Sequence, residues 1–221
     1  MPYKHIEAPQ ITHPIVRQAI ERADIYLHDV YGMFSLPSPN SPNGGGCNFS
    51  IALVLLCVVD GISRDIYPTR LVKDQEKRFK KLIRDKLYWP KKPKSMLWID
   101  KADAANQLYL EVRNPLVHEL ARDKVSSARK SGHNEPIIGK WGEIDKAYRN
   151  IESIDAMTVW NNKWPTMYVK KASGDGKPCM KLNAAALYWS VKRMLDDLVK
   201  DQKAMSYAGV CQDALAILET E

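Results

Sequence analysis

Residues 48–67 read NFSIALVLLCVVDGISRDIY, and this stretch decides the fold. Ile51 to Val59 is an unbroken apolar run of nine residues, far short of the roughly 20 needed to cross a bilayer. A buried strand could carry IALVLLCVV, but the pattern continues through Asp60 to Tyr67 with no turn signal except Gly61, and only Pro68 stops it. The spacing therefore predicts a helix, and apolar residues on every face predict a helix at the centre of a bundle.

Working outward, Pro14 stands where the first residue of a helix tolerates it. Ile15, Val16, Ala19, Ile20, Ala23, Leu27 and Val30 follow at helical spacing until Gly32. Ser35 to Gly46 (SLPSPNSPNGGG) reads as an exposed connector. On the other side, about Thr69 to Tyr88 reads as an amphipathic helix with Leu71, Val72, Phe79, Leu82, Ile83 and Leu87 turned inward, broken by WPKKPK. A fourth helix is expected from near Asp100 to about Arg122, interrupted at Pro115. Four helices in 122 residues predict a mainly α fold, a helical bundle.

The second half is less regular. Residues 123–140 read as loop and 142–155 as a short helix or irregular segment. Thr166–Lys171 and Lys177–Leu182 flank SGDG, a β-hairpin signal. Asn183 is placed to cap a helix through Val199, with stripe Leu187, Val191, Met194, Leu195 and Leu198, and a last helix covers Tyr207 to Leu218. The expected organisation is a helical bundle over 1–122 and an extension over 123–221 packed on it as one domain.

Thirty-three Lys and Arg against 26 Asp and Glu give a charge of +7, which solubility alone can explain. The excess concentrates in Lys73–Lys94, where Lys80 and Lys81 are weak candidates for contacting an anionic substrate, and in Arg122–Lys140. Each stretch can equally be a solvated helix face or loop. The beginning, MPYKHIEAPQ, lacks the apolar core of a secretory signal, so a cytoplasmic protein with no membrane span is expected. Cys47, Cys57, Cys179 and Cys211 form no CxxC pair or Cys/His cluster, so neither structural zinc nor a disulfide scaffold is expected. Cys57 and Cys211 are expected in the core. No motif for a metal or cofactor is present, and Gly44–Gly46 lacks the GK[ST] of a phosphate loop.

Chemistry concentrates in Glu111-Val112-Arg113-Asn114-Pro115-Leu116-Val117-His118-Glu119. On an ideal helix Ala105, Leu108, Tyr109, Val112 and Leu116 share one side, and Gln107, Glu111, Asn114, His118 and Arg122 the other. Asn114 and His118 are four apart, so the amide can orient the imidazole. Arg113 stands about 140° from His118, so either the helix deforms, for which Pro115 gives the means, or a second chain supplies the missing group. Asn114 is expected to cap the turn restarted at Pro115. An Arg with a His five to seven residues later arises about once by chance in this composition; RNxxxH is expected only about 0.01 times.

RNPLVH on a late bundle helix resembles the RNxxxH form of the motif that marks HEPN (higher eukaryotes and prokaryotes nucleotide-binding) domains. The resemblance covers about residues 10–122. It implies a metal-independent endoribonuclease, toxin or defence related, with Arg113 and His118 as the catalytic pair, Asn114 beside them and a homodimer bringing two motif helices together. Glu111 and Arg122 are weaker substrate contacts, and a neutralising protein partner goes with a toxin role. Pro115 inside the motif departs from the pattern. The chemistry suits these residue types: the ribose 2′-OH attacks phosphorus, a His with pKa near 6.5 moves the proton, and Arg holds phosphorane charge in a bidentate fork. The alternative is a noncatalytic helical RNA-binding or protein-interaction module in which the same segment is a kinked interface helix.

Overall fold

A computed structural model describes residues 3–34, 47–67, 74–87, 101–114, 134–139, 167–171 and 178–219. Four helical segments lie in the first half: α1 Pro14–Met33, α2 Asn48–Ile66, α3 Gln75–Lys86 and α4 Lys101–Gln107, which runs on as a π-helical turn, Leu108–Arg113. Three strands follow, β1 Asn134–Gly139, β2 Met167–Lys171 and β3 Pro178–Asn183, then α5 Ala184–Lys200 and α6 Gln202–Glu219. The fold is mainly α, a helical bundle with a small sheet.

Helix α2 packs against α1, α3, α5, α6 and β1, the central place its apolar run predicts. Ile51, Ala52, Leu55, Leu56, Val59 and Ile62 are buried among residues of those neighbours, in one core that also takes Leu187, Val191, Met194, Leu195 and Leu198 of α5. Its burial is not complete all round. Leu53 and Val54 are half-buried, and Cys57, expected in the core, is exposed, because α2 turns one strip toward solvent beside α1. Cys211 carries no described side chain. Gln212 Nε2 of α6 donates to the Asp65 carbonyl at 3.2 Å, and Gly209 of α6 lies against His13. The start of α1 and the end of α2 therefore lie at the same end of the bundle, and the two helices run antiparallel.

The hairpin forms as expected: β2 and β3 are antiparallel, with Lys170 opposite Cys179 and Tyr168 opposite Lys181. β1 forms inside residues 123–140, where the sequence predicts a loop, and corrects that expectation. It adds parallel to the other edge of β3 with a register irregularity, giving the order β1-β3-β2. Its sequence NEPIIG carries only two apolar side chains and a proline, so it shows no alternation, and its pairing comes from the β3 edge rather than from local pattern. At the junction into α5, Asn183 Oδ1 accepts from the Ala185 and Ala186 amides at 3.1 and 3.3 Å, the cap expected of it. α6 begins five residues before the expected start, because Asp201 Oδ1 caps it through the Ala204 amide at 3.0 Å.

The chain ahead of α1 is tied down by one buried carboxylate. Asp24 is 5% exposed and accepts from Tyr3 Oη at 2.6 Å and the Ile6 amide at 3.1 Å, with His5 Nδ1 at 2.6 Å. Among the described residues, no helix is long and apolar enough to cross a membrane.

Candidate functional site

The apolar side of the motif helix is buried as predicted, while Gln107 and Asn114 of the other side are half-buried. Ala104, Ala105, Leu108, Tyr109 and Val112 are buried. The deformation expected at Pro115 begins earlier, as the π turn of Leu108–Arg113, in which the Asn114 amide donates to the Tyr109 carbonyl five residues back. A proline at position 115 has no N–H to offer the carbonyl of residue 111, and a wider turn is one way a helix accommodates a proline that follows it. Asn114 has φ −63° and ψ −48°, a helical conformation. An N-cap takes extended backbone, so the expected cap of a restarted turn is corrected: Asn114 continues the helix.

Arg113 belongs to the buried side, four residues after Tyr109, and is 8% exposed. Its Nη2 donates to Asp60 Oδ2 of α2 at 2.9 Å and its Nη1 to Asn114 Oδ1 at 3.0 Å. Gln75 Nε2, from the first turn of α3, donates to the same Asp60 oxygen at 2.6 Å. The guanidinium lies 5.4 Å from the centre of the Tyr109 ring, and the Lys80 ammonium lies 5.7 Å from it. Three helical segments thus meet on one ion pair whose side chains are 10% and 16% exposed. Asp60 Oδ1 and Arg113 Nε are buried without a hydrogen-bond partner among the described residues. Burial pushes the nearby Cys57 thiol above its ordinary range, with Arg113 pulling it down and Asp60 pushing it up. Burial also raises Tyr109, and Arg113 opposes the shift.

Of the expected site residues, the structure brings Arg113 and Asn114 together by a direct hydrogen bond. His118 and Arg122 lie outside the described residues, as does the Glu111 side chain. Lys80 is paired with Glu76 one turn before it, and Lys81 with Asp85 at 2.7 Å, so both lysines are partnered along α3. Sequence reading missed Asp60, Gln75 and Tyr109 as polar members of this cluster. Asp60 carried a signal: it is the one charge between Ile51 and Ile62, and a carboxylate on an otherwise apolar helix needs a partner. Among the described residues, no group of three or more His, Cys, Asp or Glu side chains is arranged to hold a metal ion. No protein-family model, curated protein or solved structure matches the chain.

Proposed function

We propose that the chain is a HEPN-like, metal-independent endoribonuclease of the cytoplasm, toxin or defence related, that cleaves RNA through attack of the ribose 2′-OH. One observation carries the reading. The Arg113–Asn114 half of RNPLVH sits on a deformed turn and is locked by hydrogen bonds from Arg113 to Asn114 and to Asp60 of α2. In this reading the fixed arginine supplies a defined positive charge to the reaction that His118 carries out. His118 then takes the proton from the 2′-OH as oxygen attacks phosphorus. The bond to the 5′-oxygen breaks, and a second proton donor serves the leaving oxygen. Since one histidine cannot readily do both, a homodimer supplies the second. In a toxin, a neutralising protein partner would cover the segment.

A specific observation favours a second reading, a noncatalytic RNA-binding or protein-interaction module. Arg113 is nine-tenths buried and two of its nitrogens already have acceptors, so less of its fork remains for a phosphate. Incubating purified protein with mixed RNA, with and without EDTA, beside His118→Ala separates the two. The enzyme reading expects cleavage that survives the chelator, leaves a 2′,3′-cyclic phosphate, spares DNA and is lost in His118→Ala. RNA bound but uncut gives the module; cleavage undiminished in His118→Ala sinks the assignment of the proton-transfer group.

A further inference from the structure

The strip of α2 that faces solvent is one wall of a groove of about 580 Å3 between α1 and α2. Ile15 and Ala19 line it from α1, and Leu53, Val54 and Ile62 from α2. Ile15 and Tyr26, at its two ends on α1, are 46% and 52% exposed, so apolar surface of good size is left in water. Small residues leave it room: Ala19 and Ala23 on one helix and Gly61 on the other. A Cβ built at Gly61 meets nothing within 4 Å. Its volume is in the range of small-molecule sites, and its walls offer few groups to hydrogen-bond water.

The polar lining is not neutral. Arg22, Arg64 and Asp65 all line the groove, and Arg64 Nε donates to Asp65 Oδ1 at 3.3 Å. Burial pushes the Asp65 carboxyl above its ordinary range, while Arg64 and Arg22 pull it down. Two guanidinium groups against one carboxylate leave a net positive rim on an apolar trough. From Ile15 to Tyr26 the trough is about 17 Å long at the helical rise, close to an extended twelve-carbon chain.

We propose that this groove binds a small amphiphilic anion, its apolar body lying between α1 and α2 and its carboxylate or sulfonate head held by Arg22 and Arg64. Apolar burial supplies the attraction, and the charge-assisted fork of arginine selects a charged head over an uncharged one of equal length. The site is separate from the Asp60–Arg113 cluster, and its test does not depend on RNA cleavage.

The probes are anilinonaphthalene sulfonate, followed by fluorescence, and dodecanoate and dodecanol as competitors. Dodecanoate should displace the dye at one site per chain and compete roughly tenfold better than dodecanol, and Arg22→Gln with Arg64→Gln should remove that tenfold preference. Gly61→Leu puts a side chain into the trough from a position whose Cβ meets nothing within 4 Å, and it replaces a glycine in a helix, so it should fold at least as well and lose both ligands. A folded Gly61→Leu that still binds dodecanoate as the native chain does overturns the site. Equal competition by acid and alcohol, unchanged in the arginine variants, overturns the anion. A dimer that dissociates in Gly61→Leu assigns the groove to a second copy and overturns the ligand.

Discussion

A single carboxylate on the central helix shows how far one residue governs this site. Asp60 sits in a run that would otherwise bury into apolar neighbours, and its position is set by Arg113, Gln75 and the Ser63 hydroxyl, which donates to the Asp60 carbonyl at 2.7 Å. Removing one member of a buried pair leaves the other charge uncompensated, which costs more than the pair contributes. Asp60→Leu and Arg113→Met should therefore each lose about 3 kcal/mol in urea denaturation, and Asp60→Leu/Arg113→Met should lose clearly less than the two single changes together. Additive losses would show that the two side chains do not depend on each other. Asn114→Ala should cost about 1.5 kcal/mol by removing an acceptor from a charged donor, and that cost should vanish in an Arg113→Met background. A cost that persists there would return Asn114 to the role of backbone cap. Arg113 and Asn114 were legible in the sequence as a spacing. Their partner across the bundle was not, because pairing between α2 and the motif helix is a tertiary fact that an i, i+4 argument on one helix does not reach.

Among the elements, those whose signals are local were the easiest to read. α1, α2 and α5 follow from apolar period plus a start signal: Pro14 begins one, and Asn183 caps another through two amides. The start of α6 was misread because Asp201 ends one helix and opens the next, and its apolar pattern begins only later. Strand β1 escapes local reading for a different reason: its place comes from pairing with β3, more than forty residues on. Asp201 also accepts from Lys86 of α3 at 2.8 Å, and that bond, with the Ala204 amide, holds its carboxyl below the ordinary range. Since the folded pKa is depressed, the stabilisation is complete above the carboxyl's unfolded pKa of about 3.9 and is lost as pH falls through the folded value. Asp201→Ala should thus lower stability by about 1 kcal/mol at neutral pH, mostly as a lost cap, because the pair is about one-third exposed and screened by solvent. The difference between variant and native chain should shrink in acid, read as converging thermal midpoints. A gap that is constant down to strongly acidic pH would deny the carboxylate its role.

Charge and assembly are properties of the whole molecule. The excess of seven positive charges does not make α3 a bare basic track, for Lys80, Lys81, Arg84 and Lys86 all lie against Glu76, Asp85 or Asp201. RNA binding by this chain would then draw its charge from elsewhere, and Lys80→Gln with Lys81→Gln should leave the salt dependence of RNA affinity nearly unchanged. Assembly bears more directly on the proposed reaction. RNPLVH gives each chain one histidine, whereas in-line cleavage needs a base for the 2′-OH and an acid for the 5′-oxygen at the same time. The Asp60–Arg113 pair is committed to the bundle: the guanidinium donates to Asp60 and to Asn114, and Asp60 Oδ2 accepts from both Arg113 and Gln75. A two-fold dimer with the segment Glu111 to Arg122 at or beside its interface completes the pair by symmetry, since one contact then brings both motifs into a common cleft. Light scattering at micromolar concentration should accordingly give twice the chain mass. Mixing His118→Ala chains with native chains should lower activity more steeply than the fraction of native chain, because a mixed dimer lacks one of its two proton-transfer groups. Activity that falls in simple proportion, or a monomer that cleaves at full rate, would mean that one chain holds both the acid and the base.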